Sequence, residues 1–290
     1  METPVVCAAG AVDEHLDPIR VECHPGGLDG QSLSLYLVTS PEHSMKRLLA
    51  AGSGPIYQIT RAFRDGERGR LHNPEFTILE WYRPGFDHHQ LMEEVGELTL
   101  SILPGSKKWE CVTYQEAFQE ALGIDPHRAS VADLARVAER DGIPPPSDLG
   151  KDHDGWLNFL LATRIEKTLG FDKPVFLMDY PPSQAALARV RSGDPPVAER
   201  FELYVRGVEL ANGYHELLDP EEQERRFIEA NEKRKARGKT RLPLDRRFLR
   251  ALELGLPSSS GVAVGFDRLV MLALGAERID DVMAFPIERA

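Results

Sequence analysis

Apolar positions change their period several times along this chain. Within 40–51, Met45, Leu48 and Leu49 recur at helical spacing and the run stops at Gly52, which predicts a short helix. Residues 55–64 alternate as a strand, and 76–82 read as its antiparallel return. The eleven-residue loop between them is rich in glycine and charge, longer than a structural hairpin needs. Loops of that kind on a rigid sheet are where function tends to sit.

From about 113 to 170 the period is helical. Thr113-Tyr-Gln-Glu116 and Ser130-Val-Ala-Asp133 each have the form of a capping box before an apolar-periodic run. Pro144, Pro145 and Pro146 break helices, and Trp156, Leu160 and Thr163 mark a third helix ending at Gly170. Strands return at 174–180, 199–205 and 208–217. A basic helical segment follows, and a glycine-rich strand runs into a helix over 261–275. Strands, helices and strands again, without a βαβ rhythm, predict an α+β fold around an antiparallel sheet flanked by helices. The expectation is one domain over 1–290 with a helical insertion at about 113–170.

Composition narrows the class. Apolar residues make up 42% and charged residues 28%, ordinary for a globular chain. No apolar run is long enough to span a bilayer, and the first residues do not read as a signal peptide. Cys7, Cys23 and Cys111 form no Cys-x-x-Cys spacing, which fits a reducing cytoplasm. A net charge of −11 argues against a broad nucleic-acid surface. Cations nevertheless crowd into 225–250, including Lys233, Arg234 and Lys235. That run reads either as a solvated helix face or as a dock for an acidic partner.

Three segments carry candidate chemistry; there is no Walker A, His-Glu-x-x-His or Gly-x-Ser-x-Gly sequence. With side chains alternating, Gln58, Thr60, Ala62 and Arg64 share one face of the outgoing strand, and Phe76, Ile78, Glu80 and Tyr82 share one face of its return. An arginine fork suits a phosphate, an aromatic ring suits a flat base, and Glu80 with Tyr82 suits an ammonium group. In 208–216, Glu209 and Glu216 are seven apart and would lie on opposite faces of a regular strand. A bulge at Asn212-Gly213, with φ > 0, would bring both carboxylates to one face, where Mg²⁺ carried by ATP can be held. In 260–271, Gly261 and Gly265 allow close approach to a strand that feeds a helix near Asp267 and Arg268, a setting that favours anions.

Together these segments resemble the motifs of class II aminoacyl-tRNA synthetases, in particular their lysine branch. Phe63-Arg64 with His72-Asn-Pro-Glu-Phe-Thr77 is similar to motif 2, Gly261 to Met271 to motif 3, and Met1-Glu-Thr-Pro4 to the tail of motif 1. The likeness continues to the closing Asp281-Val-Met-Ala-Phe-Pro-Ile-Glu-Arg-Ala290. No anticodon-binding barrel precedes the core, and Ala263 stands where lysyl-tRNA synthetases carry glycine. With Thr39 to Arg47, Glu80-Trp-Tyr82 and Asn231 to Gly238, these departures resemble synthetase paralogs that charge a protein rather than tRNA.

The resemblance implies a class II catalytic core, ATP and Mg²⁺ as cofactors, and lysine or (R)-β-lysine activated as an acyl-adenylate. It also implies a lysine side chain of elongation factor P as acceptor, no anticodon recognition, a homodimer and no membrane association. Carried over residue by residue, Arg64 and Arg268 are catalytic. Arg64, Asp65, Gly66, His72, Asn73, Phe76, Glu209, Leu210, Gly265 and Arg268 bind ATP. Ser40, Pro41, Glu42, Glu80, Tyr82, Asn212, Glu216 and Ala263 take the lysine-like substrate, and Glu209 and Glu216 the metal. One departure concerns motif 2, where the family's glutamate is replaced by Gly66, with Glu67 next: either Glu67 substitutes for it or a contact is lost. Met1 stands in the place of a motif 1 valine, which suggests a natural start further upstream and a missing motif 1 helix. Two other readings stay open: a lysyl-tRNA synthetase-like protein that aminoacylates RNA, and a catalytically inactive synthetase-like binding protein. The missing anticodon domain and Ala263 count against the first, the presence of Arg64, Glu209, Glu216 and Arg268 against the second.

Overall fold

The structure, a computed structural model, describes residues 1–24, 26, 32–103, 105, 108–147 and 149–290. In chain order the elements begin with β1 (Val6–Cys7), β2 (Arg20–Cys23), β3 (Leu33–Leu37), α1 (Glu42–Ala50), β4 (Ile56–Phe63), β5 (Glu75–Pro84) and α2 (His88–Ile102). They continue with β6 (Glu110–Thr113), α3 (Tyr114–Leu122), α4 (Val131–Arg140), α5 (His153–Leu160), β7 (Val175–Tyr180), β8 (Val190–Arg191), β9 (Val197–Val205) and β10 (Val208–His215). Last come α6 (Pro220–Ala236), α7 (Arg246–Gly255), β11 (Ser259–Gly265) and α8 (Phe266–Leu274). The chain divides into two compact units, Met1–Phe86 with Leu217–Ala290, and Asp87–Glu216.

In the first unit, β1, β3 and β2 form a small antiparallel sheet. β4, β5 and β11 lie side by side, antiparallel, in the register Gln58↔Glu80↔Ala263. The alternation read in 55–64 is the burial pattern of β4: Ile56, Gln58 and Ala62 are buried, while Tyr57, Ile59 and Arg61 reach solvent. α1 buries Met45 and Leu49, one turn apart, and also His43, whose ring stacks on Phe248 of α7 at 4.4 Å. α8 ends where the sequence places its stop, at Gly275, whose φ of 67° is easy only for glycine.

The second unit pairs β10 with β9 and β9 with β7 antiparallel, β7 with β6 parallel, and β8 with β9. Leu177 and Tyr204 on one face of these strands meet Phe118, Leu134, Leu157 and Leu160 of α3, α4 and α5 in a fully buried core. Both capping boxes form: Thr113 and Ser130 each accept the N3 backbone N–H while Glu116 and Asp133 reach back. The third helix is not continuous. α5 passes into a π turn at Leu161–Ile165 and a 3₁₀ turn at Glu166–Thr168. It ends at Gly170, where a Cβ would lie 2.4 Å from the Tyr204 carbonyl oxygen. Antiparallel strands with helices packed on them give the expected α+β class in each unit.

The bulge in β10 lies elsewhere than expected. Glu209 pairs with Tyr204 and Ala211 with Leu203, so the extra residue is Leu210. Asn212 and Gly213 pair regularly with Glu202 and Phe201, and Gly213 does not take a positive φ. Leu210 is 2% exposed, so burial of its side chain, rather than the Asn-Gly turn preference, settles where the strand bends.

Candidate functional site

In the first unit the β4–β5–β11 face carries a polar row. Glu80 is 1% exposed, accepts the Tyr82 O–H at 2.7 Å, and lies between Gln58 and Ala263 across the register. A buried carboxylate is costly without hydrogen-bonding company, and the Tyr82 hydroxyl supplies part of it here. Four residues along β5, about 13 Å at strand spacing, Phe76 lies beneath Arg64, whose guanidinium sits 4.9 Å over its ring. Arg64 and Phe76 thus share the face of Glu80, as the alternation predicts. The Arg64 Nε is buried with no hydrogen-bond partner among the described residues, while its outer nitrogen lies 3.6 Å from Glu67.

Residues 64–74, the loop after β4, are more ordered than their composition suggests. Arg64 N–H donates to Pro74, and Gly69 and His72 form a small bridge. Gly66 takes φ of 75°, so the backbone there favours glycine over the family's glutamate, and Glu67 turns toward Arg64 instead. Asn73 is 4% exposed and uses its side chain within the loop, donating to Glu75 O at 2.6 Å and accepting from Ile287 N at 3.0 Å. Arg268 pairs with His72 Nε2 at 2.7 Å and donates to Leu71 O. Partial loss of water around this exposed ring, and then the Arg268 charge, lower the His72 pKa below its ordinary value. Gly265 caps α8, and a Cβ there would meet Arg268 at 3.4 Å. Asp65 is exposed and uses its N–H on Asp17 O.

Ser40, Pro41 and Glu42 lead into α1. Ser40 Oγ accepts Glu42 N–H, and Glu42 holds Lys46, a buried lysine, at 2.6 Å. The basic segment is largely neutralised inside this unit. Lys233 pairs with Glu14, Arg234 and Lys239 with Asp17, Arg241 with Glu232, Arg246 with Glu224 and Arg250 with Glu253. Arg234, only 3% exposed, also donates to Asp13 O, Leu16 O and Thr240 O, so it anchors the fold rather than a partner.

In the second unit the bulge gives the parity that was expected. Glu209, Asn212 and Tyr214 lie opposite Tyr204, Glu202 and Arg200, and Glu216 follows on the same face. Glu216 is 1% exposed and bridges to Ala188. Hard carboxylate oxygens suit Mg²⁺, so Glu209 and Glu216 each offer a donor of the right kind. The same face holds a network absent from the sequence reading. Glu202 accepts the hydroxyls of Tyr180 and Tyr204 and pairs with Arg200. Arg200 donates to Asn212, which donates in turn to Tyr214. Burial, then the Glu202 charge, raises both phenol pKa values well above the ordinary, so they remain donors.

No helix among the described residues is long and apolar enough to cross a membrane. Residues 1–289 match the family model described as tRNA synthetases class II (D, K and N). Curated relatives share about half of their residues with the chain. An elongation factor P–(R)-β-lysine ligase of Enterobacter sp. (strain 638) is 49% identical over 290 residues, spanning all of this chain and 89% of the relative. Proteins of the same name from Proteus mirabilis (strain HI4320) and Yersinia pestis (strain Pestoides F) are each 50% identical over 291 residues, with the same coverage. With that match along its length, and with motif 2 and motif 3 side chains gathered on one three-stranded face, the chain belongs to the class II tRNA synthetases of the D, K and N type.

Proposed function

We propose that the chain is an ATP-dependent ligase that activates lysine or (R)-β-lysine and transfers it to a lysine side chain of elongation factor P. One observation carries the reading: a single strand face holds a buried carboxylate with its tyrosine at one end and an arginine stacked on an aromatic ring at the other. The first suits a substrate ammonium, the second a phosphate and base. The relatives' names add the acceptor and the isomer. The same resemblance supports a cytoplasmic homodimer.

In this reading Glu80, Tyr82 and Glu216 hold the amino acid, with Ala263, Asn212 and the 40–42 turn shaping its pocket. Arg64, Arg268, His72 and Phe76 orient ATP, with residues 65, 66, 73, 209, 210 and 265 lining its side. Bound through Glu209 and Glu216, Mg²⁺ would neutralise phosphate charge. A substrate carboxylate oxygen attacks the α-phosphorus, the bond to the bridging oxygen breaks, and pyrophosphate leaves. Arg64 stabilises charge developing on the α-phosphate; the step needs positioning and electrostatics rather than a general base. The acceptor amine then attacks the acyl carbon, AMP leaves, and the amine loses a proton as the amide forms.

The test is amino-acid-dependent pyrophosphate exchange by the full chain, without RNA, using lysine and (R)-β-lysine separately. Arg64→Ala and Glu216→Gln are expected to abolish exchange while circular dichroism and thermal midpoint stay near wild type. Absence of exchange with both isomers overturns the reading.

A further inference from the structure

A second side-chain cluster in the Asp87–Glu216 unit has no part in that chemistry. His88 opens α2, Glu199 lies on β9 and His215 ends β10, and one ligand atom from each lies within 4.8 Å of the others. Arg200, Glu202 and Tyr204 share a face with Asn212 and Tyr214, so Glu199 and His215 lie on the reverse face of the hairpin. His88 is 2% exposed, and neither of its ring nitrogens has a hydrogen-bond partner among the described residues. Leaving two buried nitrogens unsatisfied is costly, and asks for a missing partner. The His215 ring stands 6.2 Å from it, and His215 Nδ1 lies 2.8 Å from a Glu199 oxygen. Burial, then the neighbouring His89 and His215, hold the His88 pKa down to about 3, which keeps its ring neutral at pH 7.

We propose that His88, His215 and Glu199 form a binding site for one divalent transition-metal ion of the zinc type, with water completing the coordination. Two imidazoles and one carboxylate around an open position are a zinc donor set, whereas Mg²⁺ prefers oxygen alone. The site would clamp the first residue of α2 to the β9–β10 hairpin. Two arginines compete for the carboxylate: Arg189 at 3.1 Å and Arg191 at 3.6 Å from Glu199. Arg191 has a second partner in Asp179, and the Arg189 side chain, 48% exposed, has room to turn into solvent. Arg189 is therefore the counter-ion of the metal-free state and the competitor of the ion.

The full chain, stripped with a chelator and dialysed at pH 7.5, is titrated with Co²⁺ and followed by visible absorption, then with Zn²⁺ by calorimetry in excess Mg²⁺. One equivalent should bind, with Zn²⁺ displacing Co²⁺. His88→Gln and His215→Gln should each weaken binding at least tenfold while keeping pyrophosphate exchange, and Arg189→Gln should bind more tightly than wild type. The Arg189→Gln measurement and the wild-type stoichiometry stand even if a histidine variant folds poorly. No stoichiometric binding, competition by Mg²⁺, unchanged affinity in both histidine variants, or no gain in Arg189→Gln overturns the proposal.

Discussion

Ala263 stands beside Glu80 on the neighbouring strand, so its methyl group borders the pocket proposed for the lysine-like chain. A pocket wall that differs by one carbon discriminates substrates by about ten- to two-hundredfold. Ala263→Gly is expected to change the ratio of kcat/KM for lysine over (R)-β-lysine by about tenfold or more, measured by pyrophosphate exchange; an unchanged ratio removes Ala263 from the specificity wall. His72 supplies a pH test. Its folded pKa lies below the unfolded value of 6.5, so its contribution to stability is complete above pH 6.5 and is lost as pH falls through the lowered folded pKa. Urea midpoints should therefore drop less between pH 7 and pH 5 in His72→Gln than in wild type, and parallel curves would refute the assignment. Strand parity made Arg64, Phe76, Glu80 and Tyr82 legible from sequence, because period two needs only one correct strand. Glu202 was not legible. Arg200 and Tyr204 flank it at period two on β9 but form no motif, and only the pairing of β7 with β9 brings Tyr180 to the same carboxylate.

Among the elements, local signals held and distant ones did not. The capping boxes at Thr113 and Ser130 close within four residues, so their chemistry is complete in the sequence. The π turn after α5 has no such local signal, and the β10 bulge depends on where Leu210 is buried. α6 is the clearest case. Its cations, with Lys239 just beyond it, read as a surface run, but the acids that neutralise Lys233, Arg234 and Lys239 are Glu14 and Asp17, more than 200 positions away. Hydrogen bonds from His15 and Lys233 outweigh burial and hold the Glu14 carboxyl down to about 2. Arg234→Met, which strips hydrogen bonds from three carbonyls and a carboxylate, is expected to cost about 3 kcal/mol in urea unfolding. Lys235→Glu with Arg247→Glu, both exposed, is expected to stay within about 0.5 kcal/mol. Equal effects would mean that burial of Arg234 carries no structural weight.

At the scale of the whole molecule, charge bears on the second half-reaction. The chain carries −11, and most of the basic residues that break that trend are already paired with its own carboxylates. An acidic acceptor protein approaching such a surface meets net repulsion at long range, which salt screens over a Debye length of about 8–10 Å. Docking by a free cationic patch would behave in the opposite way, losing association rate as salt rises. Adenylate formation depends on small substrates held by buried groups such as Glu80 and is expected to respond weakly to ionic strength. Raising salt from about 0.02 to 0.3 M, over which the Debye length shrinks severalfold, should thus leave pyrophosphate exchange nearly constant. The rate of transfer to elongation factor P, measured under limiting acceptor, should hold steady or increase. If transfer instead falls steeply with salt while exchange does not, Lys235 and Arg247, two exposed cations of 225–250 outside the assigned pairs, become the docking residues to reverse. Their reversal should then abolish the salt effect; if it does not, the acceptor is held by contacts other than this segment.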